Sequence, residues 1–284
     1  MKIILSRKGF DSGSGGFPNP ILPDGRLVPL PIPAAADLQT FDGLTVNDVP
    51  LGPLVEDLTE RSIDRARHCH VDPDLDARRS ARLPGWRPAF GQASTAQRHL
   101  SAHGVNRGDL FLFFGWFRAV EQSAGKWRYV RGAPNLHVIF GWMRIGDVLD
   151  VRDGVDLGDK LAPFADHPHV QRRDRSSNTL YLASDRLGLG DIECEGGGVF
   201  RAIADNRILT DTRQSKRSLW RLPPCFHPDA GATFSYHENP QRWSNGGEQC
   251  LLSSVARGQE FVLALPRPDS AEAWLRQIFA GGTP

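Results

Sequence analysis

Two stretches, LFLFFGWF at residues 110–117 and LHVIFGWMRIGDVL at residues 136–149, decide how the rest of the chain is read. The first is the most apolar run in the protein and is dense in aromatic residues, the signature of a buried strand. The second has the same character, and a polar loop separates the two. They are read as a pair of adjacent strands. Phe-Gly-Trp recurs in both, each time with an arginine two positions on, Arg118 and Arg144. Asn106-Arg107-Gly108-Asp109 turns the chain into the first of them.

Working outward, MKIIL at the start reads as a short buried strand. NTLYLA (178–183), GVFRAI (198–203), CLLSSV (250–255) and EFVLAL (260–265) are further strand candidates. The Pro-Asp-Gly in ILPDGRLVPLPIP predicts a turn, and the surrounding prolines predict a hairpin with blunted edges. Leu54, Leu58, Ile63 and Ala66 at rough helical spacing predict a helix over 51–68. Ser94 and Gln97 make a capping box ahead of a short helix that Gly104 would close. DSAEAWLRQIF (269–279) reads as a last helix capped by Ser270. No repeat of fixed period and no linker stands out. These readings give one α+β domain over 1–284, built on a partly closed, mainly antiparallel sheet with a few short flanking helices.

The chain has 284 residues, with 40% hydrophobic and 24% charged content, ordinary for a globular protein. A formal net charge of +1 argues against the global basic field of a strong non-specific nucleic-acid binder. No apolar run approaches the roughly 20 residues that a membrane span needs, and the first residues lack the apolar core of a secretory signal. Cys69, Cys194, Cys225 and Cys250 are far apart and form no CxxC. Reduced thiols in a cytoplasmic protein are the expectation.

Four stretches could carry chemistry. SRKGFDSGSGGFPNP (6–20) follows the first strand, is polar and glycine-rich, and contains nothing that reads as core. Its backbone N–H groups could cradle an anion, with charge from Arg7 and Lys8 and hydroxyls from Ser12 and Ser14. It holds neither GxxxxGK[ST] nor GxGxxG, and a mobile surface loop is the plainer reading. HCHVDPDLD (68–76) spaces His68, His70 and Asp72 so that they can converge on one side of an extended chain. Imidazole with carboxylate suits zinc, iron or manganese. The pattern is similar to the HxHxD of metallo-hydrolases, although Pro73 stands where that motif has another histidine. It is also similar to the HxD of non-haem iron oxygenases, which needs a distant third ligand. Asp166-His167-Pro168-His169 could supply it through His167 or His169. The plain alternative is a turn built on Asp-Pro-Asp. Without a metal, His70 and Asp72 could act as an acid–base pair.

In FGQASTAQRHL, the Gln92 amide could read a base edge, and Gln97 is better explained by the capping box. Trp116 and Trp142 beside arginines could stack on bases, although paired strands more often use such residues as core. Trp220, Trp243, Arg242 and Arg257 in the C-terminal third could line a cleft. No Gly-x-Ser-x-Gly elbow occurs, so hydrolase triad chemistry has no support.

SRKGFDSGSGGFPNPILPDGRLVPLPIP, HVDPDL, AFGQASTAQRHL, GDLFLFFGWFR, LHVIFGW, NTLYLA and RGQEFVL, in that order, resemble the blocks of the nucleotide modification associated domain 3 family over about residues 1–265. The resemblance implies a place in systems that modify bases in DNA or nucleotides, mainly in bacteria and phages, but no reaction. It would put weight on Arg7, Lys8, Asp11, Ser12, His70, Asp72, Asp74 and Gln92, and His68 falls outside the pattern. A fainter resemblance, in Gly108-Asp109 leading into a central strand, is to PUA-like barrels that bind modified or extruded bases.

The expectation is a cleft for a nucleotide or an extruded base in DNA. Arg7, Lys8, Ser12 and Ser14 would hold phosphate, Gln92 would read the base, and Trp116 or Trp142 would stack on it. Asp11, His70 and Asp72 would move protons if there is turnover. Other proteins of a modification system are possible partners. The identity of any cofactor stays open. The alternatives are a metal-dependent enzyme using His70, Asp72 and one of His167 or His169, and a non-catalytic reader of modified bases.

Overall fold

The two Phe-Gly-Trp segments do pair. A computed structural model describes residues 1–280. In it, the strands Leu110–Ser123 and Leu136–Asp150 run antiparallel at the centre of the main sheet. Their tryptophans do not face each other. Trp116 lies opposite His137 and Trp142 opposite Leu112, with a register shift between Ile139 and Gly141.

The sheet runs in the order Thr233–Phe234, Glu260–Ala264, Ile3–Arg7, Leu110–Ser123, Leu136–Asp150, Asn178–Ala183, Ala89–Ala93. Most pairs are antiparallel, but Ile3–Arg7 and Asn19–Ile21 each pair parallel with Leu110–Ser123. The path has two free ends, so the sheet is open and no closed barrel is formed. The fold is α+β, mostly sheet with a few short helices.

The central strands are buried on both faces, which explains their unbroken apolar runs. Ile3, Leu5, Leu112 and Phe114 face one core with Trp142, Trp220 and Phe261. Ile4, Phe111 and Phe113 face a second core with Phe90 and Tyr181. The helix Glu272–Phe279 covers the first face through Leu275, Ile278 and Phe279. The helix Ser94–Ala102 covers the second through Leu100. A third cluster joins Phe10, Leu30 and Phe41 to the helix Leu51–Leu58.

Several local expectations are corrected. The first helix stops at Leu58 because Glu60 and Arg61 take left-handed backbone angles, so Ile63 and Ala66 lie beyond it. Ser94 forms no capping box. Ala93 occupies the N-cap, and Gln97 donates to the Ser101 hydroxyl while accepting from the Tyr181 hydroxyl. Ser270 does not cap the last helix; its hydroxyl donates to the Arg267 carbonyl. Of GVFRAI, only Gly198 and Val199 belong to a strand, Gly197–Val199. No helix among the described residues is long and apolar enough to cross a membrane.

Candidate functional site

The opening segment is anchored, and it is not all surface. Phe10 is fully buried. Asn19, also buried, accepts from the Phe10 and Leu30 N–H groups and donates to the Phe10 and Trp116 carbonyls. Several of the N–H groups expected to cradle an anion are already used. Gly13 and Ser14 both donate to Asp11 Oδ1 at 2.7 Å, and Gly16 donates to the Asp11 carbonyl. Asp11 fills its own nest. Gly15 has a φ of +84°, and a Cβ there would strike the Phe10 ring at 2.5 Å, so this close turn requires glycine.

Behind this loop lies a cleft of about 240 Å³. His70 and Asp72 form one wall. His70 ends the short strand Cys69–His70, and Asp72 follows on the segment that carries a cis Asp72–Pro73 bond. His169 comes from a single helical turn, Pro168–Gln171, that packs on the strand Ala89–Ala93. The contact is tight: a Cβ on Gly91 would lie 2.2 Å from His169 Cδ2. The Gly91 N–H donates to Asp72 Oδ1 at 2.8 Å. One glycine thus lets His169 in and ties Asp72 down.

Each ligand atom is oriented from behind. His70 Nδ1 is hydrogen-bonded to the buried Asp37 carboxylate, which leaves Nε2 facing Asp72 Oδ2 at 3.9 Å. His169 Nδ1 is bonded to Asn178 Oδ1 at 2.6 Å, and the Asn178 amide donates back to the His169 and Arg172 carbonyls. With Nδ1 occupied as donor, Nε2 of each ring keeps its lone pair. The ligand atoms of His70, Asp72 and His169 lie within 4.8 Å of one another.

Charge fits the same reading. Burial disfavours the Asp72 carboxylate, but the close approach of His167 and the surrounding imidazoles outweigh it, holding its pKa well below the usual range. Burial pushes His169 down to about 3, against the pull of Asp72, so its ring is neutral at pH 7. An ionised carboxylate and a neutral imidazole are the forms that bind a divalent ion. His167 plays a different part. Its Nδ1 accepts the His169 N–H at 3.2 Å, and its Nε2 stands 3.3 Å from Asp72 Oδ1, off the axis of a well-aligned hydrogen bond.

The nucleotide modification associated domain 3 family model matches residues 2–264. The chain belongs to that family. No curated protein and no solved structure matches it. Membership in the nucleotide modification associated domain 3 family ties the chain to nucleotide modification, and the matched span includes Arg7, Lys8, His70, Asp72, Gln92 and His169 of this cleft.

Arg7, Lys8, Asp11, Ser14 and Gln92 line the cleft together with the three ligand candidates. Most are already engaged. The Arg7 guanidinium donates to the Ala256 and Gly258 carbonyls and lies 3.9 Å from Asp11. Lys8 Nζ is 2.8 Å from Glu260, a carboxylate 1% exposed. The Gln92 amide donates to Glu260 and accepts from the Ala93 N–H, so protein partners fix its orientation.

Ser12 is exposed and outside the lining. Trp142 is in the core, donating to the Glu195 carbonyl and packed on Phe200 and Phe279. Trp116 donates to Asn135, and Arg217 covers its ring at 3.9 Å. Neither tryptophan reaches the cleft.

Arg172, Arg175 and Asp37 line it too, and sequence reasoning missed all three. The QRRDR run at 171–175, close behind His169, was the available signal for the arginines. Asp37, in a bland Ala-Ala-Ala-Asp stretch, offered none.

Proposed function

We propose that the cleft is a divalent-metal centre that binds the phosphate-bearing end of a nucleotide or extruded base and acts on it within a nucleotide-modification system. His70, Asp72 and His169 hold the ion, as two imidazoles and a carboxylate on one side of it. The single observation that carries the reading is the convergence of these three groups, each oriented by a buried partner. Two imidazoles and one carboxylate leave positions open on the ion for substrate or water.

The surroundings favour an anion. Four cationic side chains and three carboxylates line the cleft, and a dication would add to that positive balance. Arg7 and Lys8 are held by protein partners, so phosphate falls to Arg172 and Arg175. Arg172 lies 3.6 Å from Asp37, and Arg175 has no hydrogen-bond or ion-pair partner among the described residues. The chemistry the ion supplies is activation of a bound water or polarisation of a substrate oxygen. The chain's own part is to position that oxygen and to balance its charge.

The test is a titration of nucleoside 5′-monophosphate into metal-loaded and metal-stripped protein. Saturable binding in the loaded form, weakened at least tenfold by stripping or by Arg175→Ala, supports the reading. Equal binding in both forms, or none in either, overturns it.

A further inference from the structure

We infer that the base of the substrate is held in a second, apolar slot beside the metal centre, formed by Leu30, Pro31, Val46, Val71, Pro73 and Phe140. The inference rests on the nucleotide reading above and adds where the base goes. The slot encloses about 80 Å³ and shares Gly9 and Asp72 with the cleft, so the two spaces meet at the metal-binding wall. The character changes across that boundary. The cleft is lined mainly by charged and polar side chains, the slot mainly by prolines and branched aliphatic side chains, with Asp72, Asp74, Asp76 and Arg79 also in its lining.

A nucleotide has the same division, an anionic phosphate end and a flat base that gains by leaving water. The residues expected to read or stack on a base are engaged elsewhere. The Gln92 amide is held by Glu260 and the Ala93 N–H, Trp142 is packed in the core, and Arg217 covers Trp116.

Arg79 lines the slot and pairs with the buried Asp74 at 3.0 Å, so it is held as part of the wall. The ligand class is therefore a planar ring joined to a phosphate.

The experiment compares adenosine, guanosine, cytidine and thymidine 5′-monophosphates with ribose 5-phosphate on the metal-loaded full chain. At least one monophosphate is expected to bind tenfold or more tightly than ribose 5-phosphate. Val46→Trp fills the slot from a half-buried position and should erase that preference, with ribose 5-phosphate affinity and metal content unchanged. Val199→Phe, from another wall, should do the same, so one misfolded variant does not decide the result. No preference in the wild type, or a preference that survives both substitutions, overturns the slot while leaving the metal reading standing. Failure of every phosphate compound to bind overturns both.

Discussion

Replacing Gly91 by alanine should disarm the metal centre without touching a ligand. The backbone there lies outside the left-handed region, so alanine meets no conformational penalty and the effect is purely steric. The new Cβ would stand 2.2 Å from His169 Cδ2, 2.3 Å from its Cγ and 2.9 Å from its Cβ. Non-bonded carbons settle at roughly 3.5–4.0 Å, so the ring must retreat by more than about 1 Å. Metal–ligand distances tolerate only about 0.2 Å. The Pro168–Gln171 turn cannot slide freely, because Asn178 holds both the His169 ring and its carbonyl.

We expect metal affinity to fall by about 100-fold, at the upper end of what loss of a supporting contact costs. Overpacking should also cost about 1–3 kcal/mol of stability. The assay is competition for zinc or manganese against a chelator of known affinity, with thermal unfolding of both metal-free proteins alongside. Wild-type metal affinity in a folded Gly91→Ala protein would refute His169 as a ligand in the placement described.

Asp37→Asn keeps the shape beside His70 but removes the charge that orients its ring, and should weaken metal binding by about 10–100-fold with little change in the far-ultraviolet circular dichroism. Asn19→Leu strips four hydrogen bonds from the Phe10, Leu30 and Trp116 backbone groups and should cost roughly 3 kcal/mol by urea unfolding, a loss under about 1 kcal/mol contradicting its anchoring role. Arg7→Ala should lower stability rather than weaken phosphate binding, because that guanidinium ties down the Ala256 and Gly258 carbonyls. Parallel unfolding and nucleotide titrations separate the two effects.

The parts of the fold that were legible are those where one residue pattern admits one structure. LFLFF and VIF are apolar at every position, and only strands buried on both faces use such runs. The pairing of Leu110–Ser123 with Leu136–Asp150 follows from that. The register does not follow, because it depends on a shift between Ile139 and Gly141 that composition does not mark, and the shift sets where Trp142 lies. The open sheet was equally hidden, since closure is decided by which distant strands meet at the edges.

At the site, His70 and Asp72 were conspicuous by spacing. The choice between His167 and His169 was not, because two imidazoles in Asp-His-Pro-His differ only in what their Nδ1 atoms contact. His167 Nδ1 accepts a backbone N–H, while His169 Nδ1 meets Asn178. The opening loop misled for a related reason. Glycines and serines announce exposed N–H groups, but Asp11 within the same turn takes them up.

Elemental analysis of the purified protein tests the central claim most directly, on the wild type beside His70→Ala, His169→Ala and the remote, exposed control His103→Ala. The account predicts close to one zinc, iron or manganese per chain in the wild type and the control, and almost none in the two site variants. Wild-type protein that takes up no metal when supplied with these ions, or site variants that hold as much as the control, would contradict it.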